Sequence, residues 1–168
     1  SDNVSELSDR KCDNGRLAIS SERYKFGSYS LKIAWQPGTR VSFESPEKFK
    51  STLTSKHCGI TVWFYDEGSQ PADLNLIFYG ANGKEVCRMP YHRGFKGWRA
   101  VWAKFCQDMG KKIRLGVTKM VLEFPQTTGT LYVDMLDFPE IVNWKYMEDL
   151  HYNTSRTDFR FSPDIVKY

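Results

Sequence analysis

Short runs in which apolar and polar side chains alternate, each ended by a Gly-, Pro- or Asn-bearing break, recur along most of this chain. Ser30 to Trp35 sets Leu31, Ile33 and Trp35 against polar partners with a period of two, the spacing of a half-buried strand. Pro37-Gly38 breaks the pattern, and Arg40 to Phe43 resumes it with Val41 and Phe43 on one face. Ile60 to Tyr65 (ITVWFY) is β-branched and aromatic, as a buried strand should be. Leu74 to Tyr79 follows a Gly68 to Asp73 turn. Asn82-Gly83 then predicts a type I′ hairpin, with Glu85 to Met89 as the return strand. Trp98 to Phe105, Met120 to Phe124 and Leu131 to Phe138 complete the series. Strands at this spacing, with few helical windows, predict an all-β jelly-roll sandwich of two antiparallel sheets.

The chain has 168 residues, enough for one domain with a proper core, and 40% of them are hydrophobic and 15% aromatic, which argues against disorder. No apolar run approaches the ~18 residues of a membrane span, so no membrane partner is expected. The opening SDNVSELSDRKCDNG is polar and carries no signal peptide, which is uninformative about export. From Asn143 the sequence is polar and aromatic, without a period, and contains Pro163. The expected division is therefore a sandwich over 1–142 and a linker over 143–168, leading to another part of a longer protein.

The formal charge of +4 is mild, but its placement is uneven. Arg93, Lys96 and Arg99 lie close together, and Lys111, Lys112 and Arg114 form a second group. Such clusters attract an anionic polymer or are simply solvated loops. No nucleic acid is expected as a partner, and nothing asks for more than a monomer. Cys12, Cys58, Cys87 and Cys106 are irregularly spaced, with no zinc-type pairing. Two disulfides with three possible connectivities are open. Buried thiols suit Cys58, Cys87 and Cys106, which border apolar runs.

A catalytic constellation is not legible. His57, His92 and His151 are the three histidines, and no spacing brings any of them to a partner. GxSxG, P-loop, dinucleotide and HExxH motifs are absent. Asp134 and Asp137, three apart on a strand, are expected on opposite faces and so do not form an acid/base pair.

Four segments carry a family resemblance: ISSERYKFGSYSLKIAW (Ile19 to Trp35), ITVWFYDE (Ile60 to Glu67), FKGWRAV (Phe95 to Val101) and LYVDMLDF (Leu131 to Phe138). In that order and spacing, continued by Trp144 to Arg156, they resemble the N-terminal domain of chondroitin sulfate ABC lyases, bacterial glycosaminoglycan-degrading enzymes. The resemblance implies a jelly roll akin to carbohydrate-binding modules of the galactose-binding type. It implies a non-catalytic domain ahead of a helical toroid that performs β-elimination, in a secreted or periplasmic protein. Chondroitin and dermatan sulfates, and the catalytic domain of the same polypeptide, are the partners implied.

Two sets of residues follow from that resemblance. A structural calcium or sodium ion would sit where an early loop meets a late strand, held by the carbonyls of Phe26 and Tyr29 and by Asp134, with Gly27 allowing the turn. The alternative is a Gly turn whose backbone amides hydrogen-bond to Asp134. A sugar-binding surface would combine Tyr91 with Arg93, Lys96 and Arg99, an aromatic platform beside cations for sulfates and carboxylates. Trp35, Trp63 and Trp102 are expected in the core, and Trp98 is more naturally core than platform. A domain that touches substrate and one that only packs on the catalytic toroid are both compatible with the sequence.

Overall fold

A computed structural model describes residues 10–45, 49–50, 58–68, 72–104 and 116–139. They form eight strands: β1 (Arg10–Ser20), β2 (Ser30–Phe43), β3 (Gly59–Glu67), β4 (Leu74–Gly80), β5 (Glu85–Tyr91), β6 (Lys96–Lys104), β7 (Val117–Glu123) and β8 (Gly129–Asp137). All pairings are antiparallel and follow the path β5-β4-β7-β2-β8-β3-β6, with β1 also on β2.

That path folds back on itself at β2. Residues Leu31–Trp35 pair with β8, and residues Arg40–Phe43 pair with β7. β2 thus belongs to two sheets, β1-β2-β8-β3-β6 and β1-β2-β7-β4-β5, and the expected sandwich is present. The pivot lies at Pro37-Gly38, where a strand break was expected and the chain instead continues as one bent strand. Gly38 takes φ 83°, a left-handed value that costs a glycine little. The hydroxyl of Thr39 accepts the Gln36 N–H at 2.9 Å and donates to the Asn14 carbonyl, and Asn14 Nδ2 donates to the Pro37 carbonyl at 2.6 Å. Asn14 sits at φ 57° where the β1 register slips, so β1 bends in step with β2.

β1 itself is an element that the sequence reading left out of its strands. Its polar opening hid an alternation in which Cys12 and Leu17 pack against the core while Lys11, Asp13, Arg16 and Ala18 are exposed. The β4–β5 connection also differs from expectation. Of Asn82 and Gly83, only Gly83 has positive φ (71°), and residues 81–84 form a wider turn closed by Gly83 N–H to the Gly80 carbonyl at 2.9 Å. A type I′ turn needs both centres left-handed.

Between the sheets, inward-facing residues meet at strand period: Ile33, Val41 and Phe43 from β2, Ile60, Val62 and Phe64 from β3, Leu74, Leu76 and Phe78 from β4, and Leu131 and Val133 from β8. Burial of each such side chain is worth about 1.5–3 kcal/mol. Aromatic contacts pin both ends of the core, with Trp35 on Phe124 at 5.2 Å and Phe64 on Tyr91 at 4.9 Å. Cys58 and Cys87 are buried in this core, where desolvation pushes the Cys87 thiol up to about 12. Cys106, Lys111, Lys112, Arg114, His57, His151 and the proposed linker 143–168 lie outside the described residues.

Candidate functional site: a basic and aromatic sheet face

The four residues nominated for sugar binding do not come together on a surface. Tyr91 is 1% exposed and packs on Phe64, and burial holds its hydroxyl pKa up at about 12. It is core. Arg93 is also inside: its Nε donates to Asp66 Oδ2 at 2.6 Å, its Nη2 donates to Asp66 Oδ1 at 3.1 Å, and its guanidinium lies 4.4 Å from the Trp35 ring centroid. The reason is Asp66, which continues the inward series Ile60, Val62, Phe64 and would be an uncompensated buried charge without a cation. Lys96 is exposed. Arg99 lies over the Phe95 ring at 4.8 Å and donates to the His92 carbonyl at 3.4 Å. His92 Nδ1 is 2.9 Å from Asp73 Oδ1, on the surface.

The predicted cation loop takes the form of its hydrogen-bonded alternative. Residues 21–29 turn amides, not carbonyls, toward Asp134: Lys25 N–H and Phe26 N–H donate to Oδ2 at 2.7 and 3.0 Å, and Met135 N–H donates to Oδ1 at 2.8 Å. Oδ2, which accepts two N–H groups, has no lone pair left for a hard cation, Oδ1 accepts one, and the loop carbonyls that a cage would need are not the groups turned to the carboxylate. Phe26 and Tyr29 are 68% and 44% exposed, and among the described residues no group of three or more His, Cys, Asp or Glu side chains could hold a metal. This arrangement does not fit a calcium or sodium cage. Asp137 also corrects its expectation. Met135, at φ 51°, forms a bulge that sets Asp134 opposite Trp63 and Asp137 opposite Thr61, putting both carboxylates on one face. Asp137 accepts the Phe138 N–H at 2.9 Å.

What the Asp134 tie does is lay the loop across the outer face of the β1-β2-β8-β3-β6 sheet. The register aligns Lys32, Tyr132, Tyr65 and Trp98 in one row across β2, β8, β3 and β6. Tyr65 meets Tyr132 and Trp98 edge-on at 5.9 and 5.4 Å. Trp63 and Trp102, expected in the core, lie half-buried on this outer face, because the strand period that buries Val62 and Phe64 turns their neighbours outward. Trp98 shares the face.

Cations cover the rings. Arg23 lies 5.1 Å from the Tyr65 centroid, Lys25 lies 4.3 Å from Trp63, and Lys32 lies 5.5 Å from Tyr132. Glu22 braces the row, accepting from Lys32 Nζ at 2.7 and 2.9 Å and from the Tyr132 hydroxyl at 2.6 Å. The Lys32 bond and then the Tyr132 bond hold the Glu22 carboxyl below its ordinary range, so it stays ionised. Lys96 and Arg16 fall on the same face by register. Against Arg16, Arg23, Lys25, Lys32 and Lys96 stand the carboxylates of Glu22, Glu67, Asp137 and the loop-bound Asp134, so the face is net basic by one charge. Sequence reading missed it because its parts come from five strands and a loop. The pattern SERYK before β2 and the outward parity of ITVWFYDE were the available signals.

Comparison with known proteins agrees with this architecture. The sequence matches the family described as "Lyase, N terminal" over residues 3–154. Two curated relatives are named chondroitin sulfate ABC exolyase. The one from Bacteroides thetaiotaomicron is 31% identical over 125 residues, covering 72% of this chain, and the one from Proteus vulgaris is 26% identical over 74% of this chain. The chain spans 12% of the length of each. Among solved structures, an exo-β-agarase matches 83% of the chain with TM-score 0.67 and 14% identity, over 24% of its own length. The family 11 carbohydrate-binding module of Clostridium thermocellum, solved with a mixed-linked tetrasaccharide, matches 82% at TM-score 0.56 and 10% identity, over 92% of its length. The CBM22-1 xylan-binding domain of Paenibacillus barcinonensis matches 77% at TM-score 0.56 and 12% identity, over 83% of its length. At such identities these structures show the fold alone. The family match over most of the chain shows more: this chain belongs to the lyase N-terminal domain family, the family found in chondroitin ABC lyases.

Proposed function

We propose that this chain is a non-catalytic accessory domain of a secreted or periplasmic glycosaminoglycan lyase, and that its basic, aromatic sheet face holds chondroitin or dermatan sulfate. In this reading the β-elimination belongs to the remainder of a longer protein, of which the described residues supply a binding surface. One observation carries the reading: three cations, Arg23, Lys25 and Lys32, are each fixed against an aromatic ring on one continuous face.

The chemistry suits an anionic polysaccharide. Sulfates and carboxylates recur along such a chain and require charged donors at intervals, with Arg favoured for bidentate contact. Sugar rings offer C–H faces that pack on the half-exposed indoles of Trp98 and Trp102. A face held by Glu22 and Asp134 presents these groups without first ordering them. Immobilised chondroitin sulfate, dermatan sulfate and a neutral glycan provide the test. The reading expects retention on the first two that falls as salt rises, and no retention of either kind would overturn it.

A second reading rests on Tyr24, Phe26 and Tyr29, which are 47%, 68% and 44% exposed on the same loop. Three exposed aromatics within six positions suit a contact with the catalytic portion of the same polypeptide. That contact would make the domain a scaffold, and its removal would destabilise the full enzyme without changing affinity for sugar.

A further inference from the structure

The opposite sheet, β1-β2-β7-β4-β5, carries a different kind of surface. Ile77 and Val121 are paired across β4 and β7, and they are 0% and 4% exposed although they lie outside the inter-sheet core. They point away from the sandwich. Beside them, reaching Val121, lies an open groove of about 470 Å³, lined by Arg40, Ser42, Tyr79 and Lys119, among others.

A connected polar network runs from Arg40 and Tyr79 in the groove to Glu123, Arg88 and Glu85 beside it. Arg40 donates to Glu123 at 2.6 Å and to the Tyr79 hydroxyl at 3.0 Å. Arg88 donates to the other Glu123 oxygen at 2.9 Å and to both Glu85 oxygens at 3.2 Å. Lys119 pairs with Glu44 at 3.3 Å and lies 5.9 Å from the Tyr79 ring centroid. Asp13 completes the lining. Among the residues that line the groove, Arg40 and Lys119 are matched by Asp13 and Glu44, so the lining carries no net charge. Nothing in that balance draws a sulfated chain, as the net basic charge of the other sheet does. Sugar hydroxyls, which both donate and accept, can bridge paired Arg and Glu groups without breaking them. A size of a few hundred Å³, an aromatic ring and a few fixed polar groups are ordinary attributes of a small-ligand site.

We infer that this groove is a second carbohydrate site, distinct from the basic face, and that it takes uncharged sugar rings. Lys119 and Glu44 address hydroxyls as a donor–acceptor pair beside Arg40, and Tyr79 supplies the ring against which a sugar face packs. The two sheets would then read different features of polysaccharide, charge on one side and hydroxyl pattern on the other.

The test is a ¹⁵N chemical-shift titration of the chain with xylohexaose and with a mixed-linked β-glucan tetrasaccharide, repeated at higher salt. The inference expects shifts centred on Arg40, Tyr79, Lys119 and Val121 that are little changed by salt. Ser42→Trp, which fills the groove from an outward position on β2, should weaken binding about tenfold or more. Tyr79→Ala should do likewise, and circular dichroism and thermal melting verify that both variants fold. Failure of either oligosaccharide to move these resonances at millimolar concentration would overturn the inference, as would shifts confined to the opposite face. Neither result bears on retention by chondroitin sulfate.

Discussion

The Arg93 guanidinium meets the Asp66 carboxylate through two hydrogen bonds, at 2.6 and 3.1 Å, with both side chains only 1% exposed. The pair joins the β5–β6 connection to the inner face of β3, and Trp35 stacks against its cationic side. A basic residue in a glycine-containing loop thus serves the core and leaves the surface charge to other residues.

Breaking this pair should be costly. Asp66→Ala or Arg93→Ala leaves one charge buried and uncompensated, an expected loss of about 3–5 kcal/mol in urea unfolding. The double replacement Asp66→Leu with Arg93→Met should lose less than either single change. If the single variants unfold like the parent, the pair is not buried as described.

The loop tie at Asp134 predicts a local effect. Asp134→Ala removes the acceptor of the Lys25 and Phe26 amides, with an expected loss of about 1–3 kcal/mol and faster hydrogen exchange at those two amides. Because amides saturate Oδ2, adding calcium or a chelator should leave the melting temperature of the parent unchanged. A rise with calcium that is lost in Asp134→Ala would show that the loop can turn carbonyls inward and hold the ion.

Alkaline pH should destabilise the fold through two buried acids. Cys87 is raised from 9.0 to about 12 and Tyr91 from 10.0 to about 12, both chiefly by desolvation. A pKa raised in the folded state means that the unfolded chain gives up its proton first. The stabilisation is therefore full below pH 9 and lost as pH climbs toward 12, at up to about 1.4 kcal/mol per pH unit for each group. Melting at pH 8, 9.5 and 11 should show a decline that Cys87→Ala makes shallower. A flat profile would contradict the burial of both groups.

Much of this fold is legible from period and turn chemistry, and the failures have specific causes. Alternation in ITVWFY and LKIAW identifies β3 and the first half of β2, because one face of each is apolar. The same alternation, followed one step further, puts Asp66 on the core face and so demands a buried cation, but it does not say that Arg93, far along the chain, provides it. β1 was missed because its inward residues are few and its outward ones polar. The outward placement of Trp63 and Trp102 was also available from parity, yet hydrophobicity argued for the core. The candidate site depends on cross-strand register, which brings Lys32, Tyr132, Tyr65 and Trp98 into one row from distant positions. No local pattern contains that row.

The central claim is tested most directly by calorimetric titration with chondroitin sulfate oligosaccharides at low and moderate salt. The parent is compared with Arg23→Ala/Lys25→Ala, on the proposed face, and with Lys84→Ala, in the exposed β4–β5 turn. The account predicts salt-sensitive binding that falls about tenfold or more in the Arg23/Lys25 variant, and less in the other. Binding that survives loss of Arg23 and Lys25 undiminished, or no binding by the parent at either salt, would contradict it.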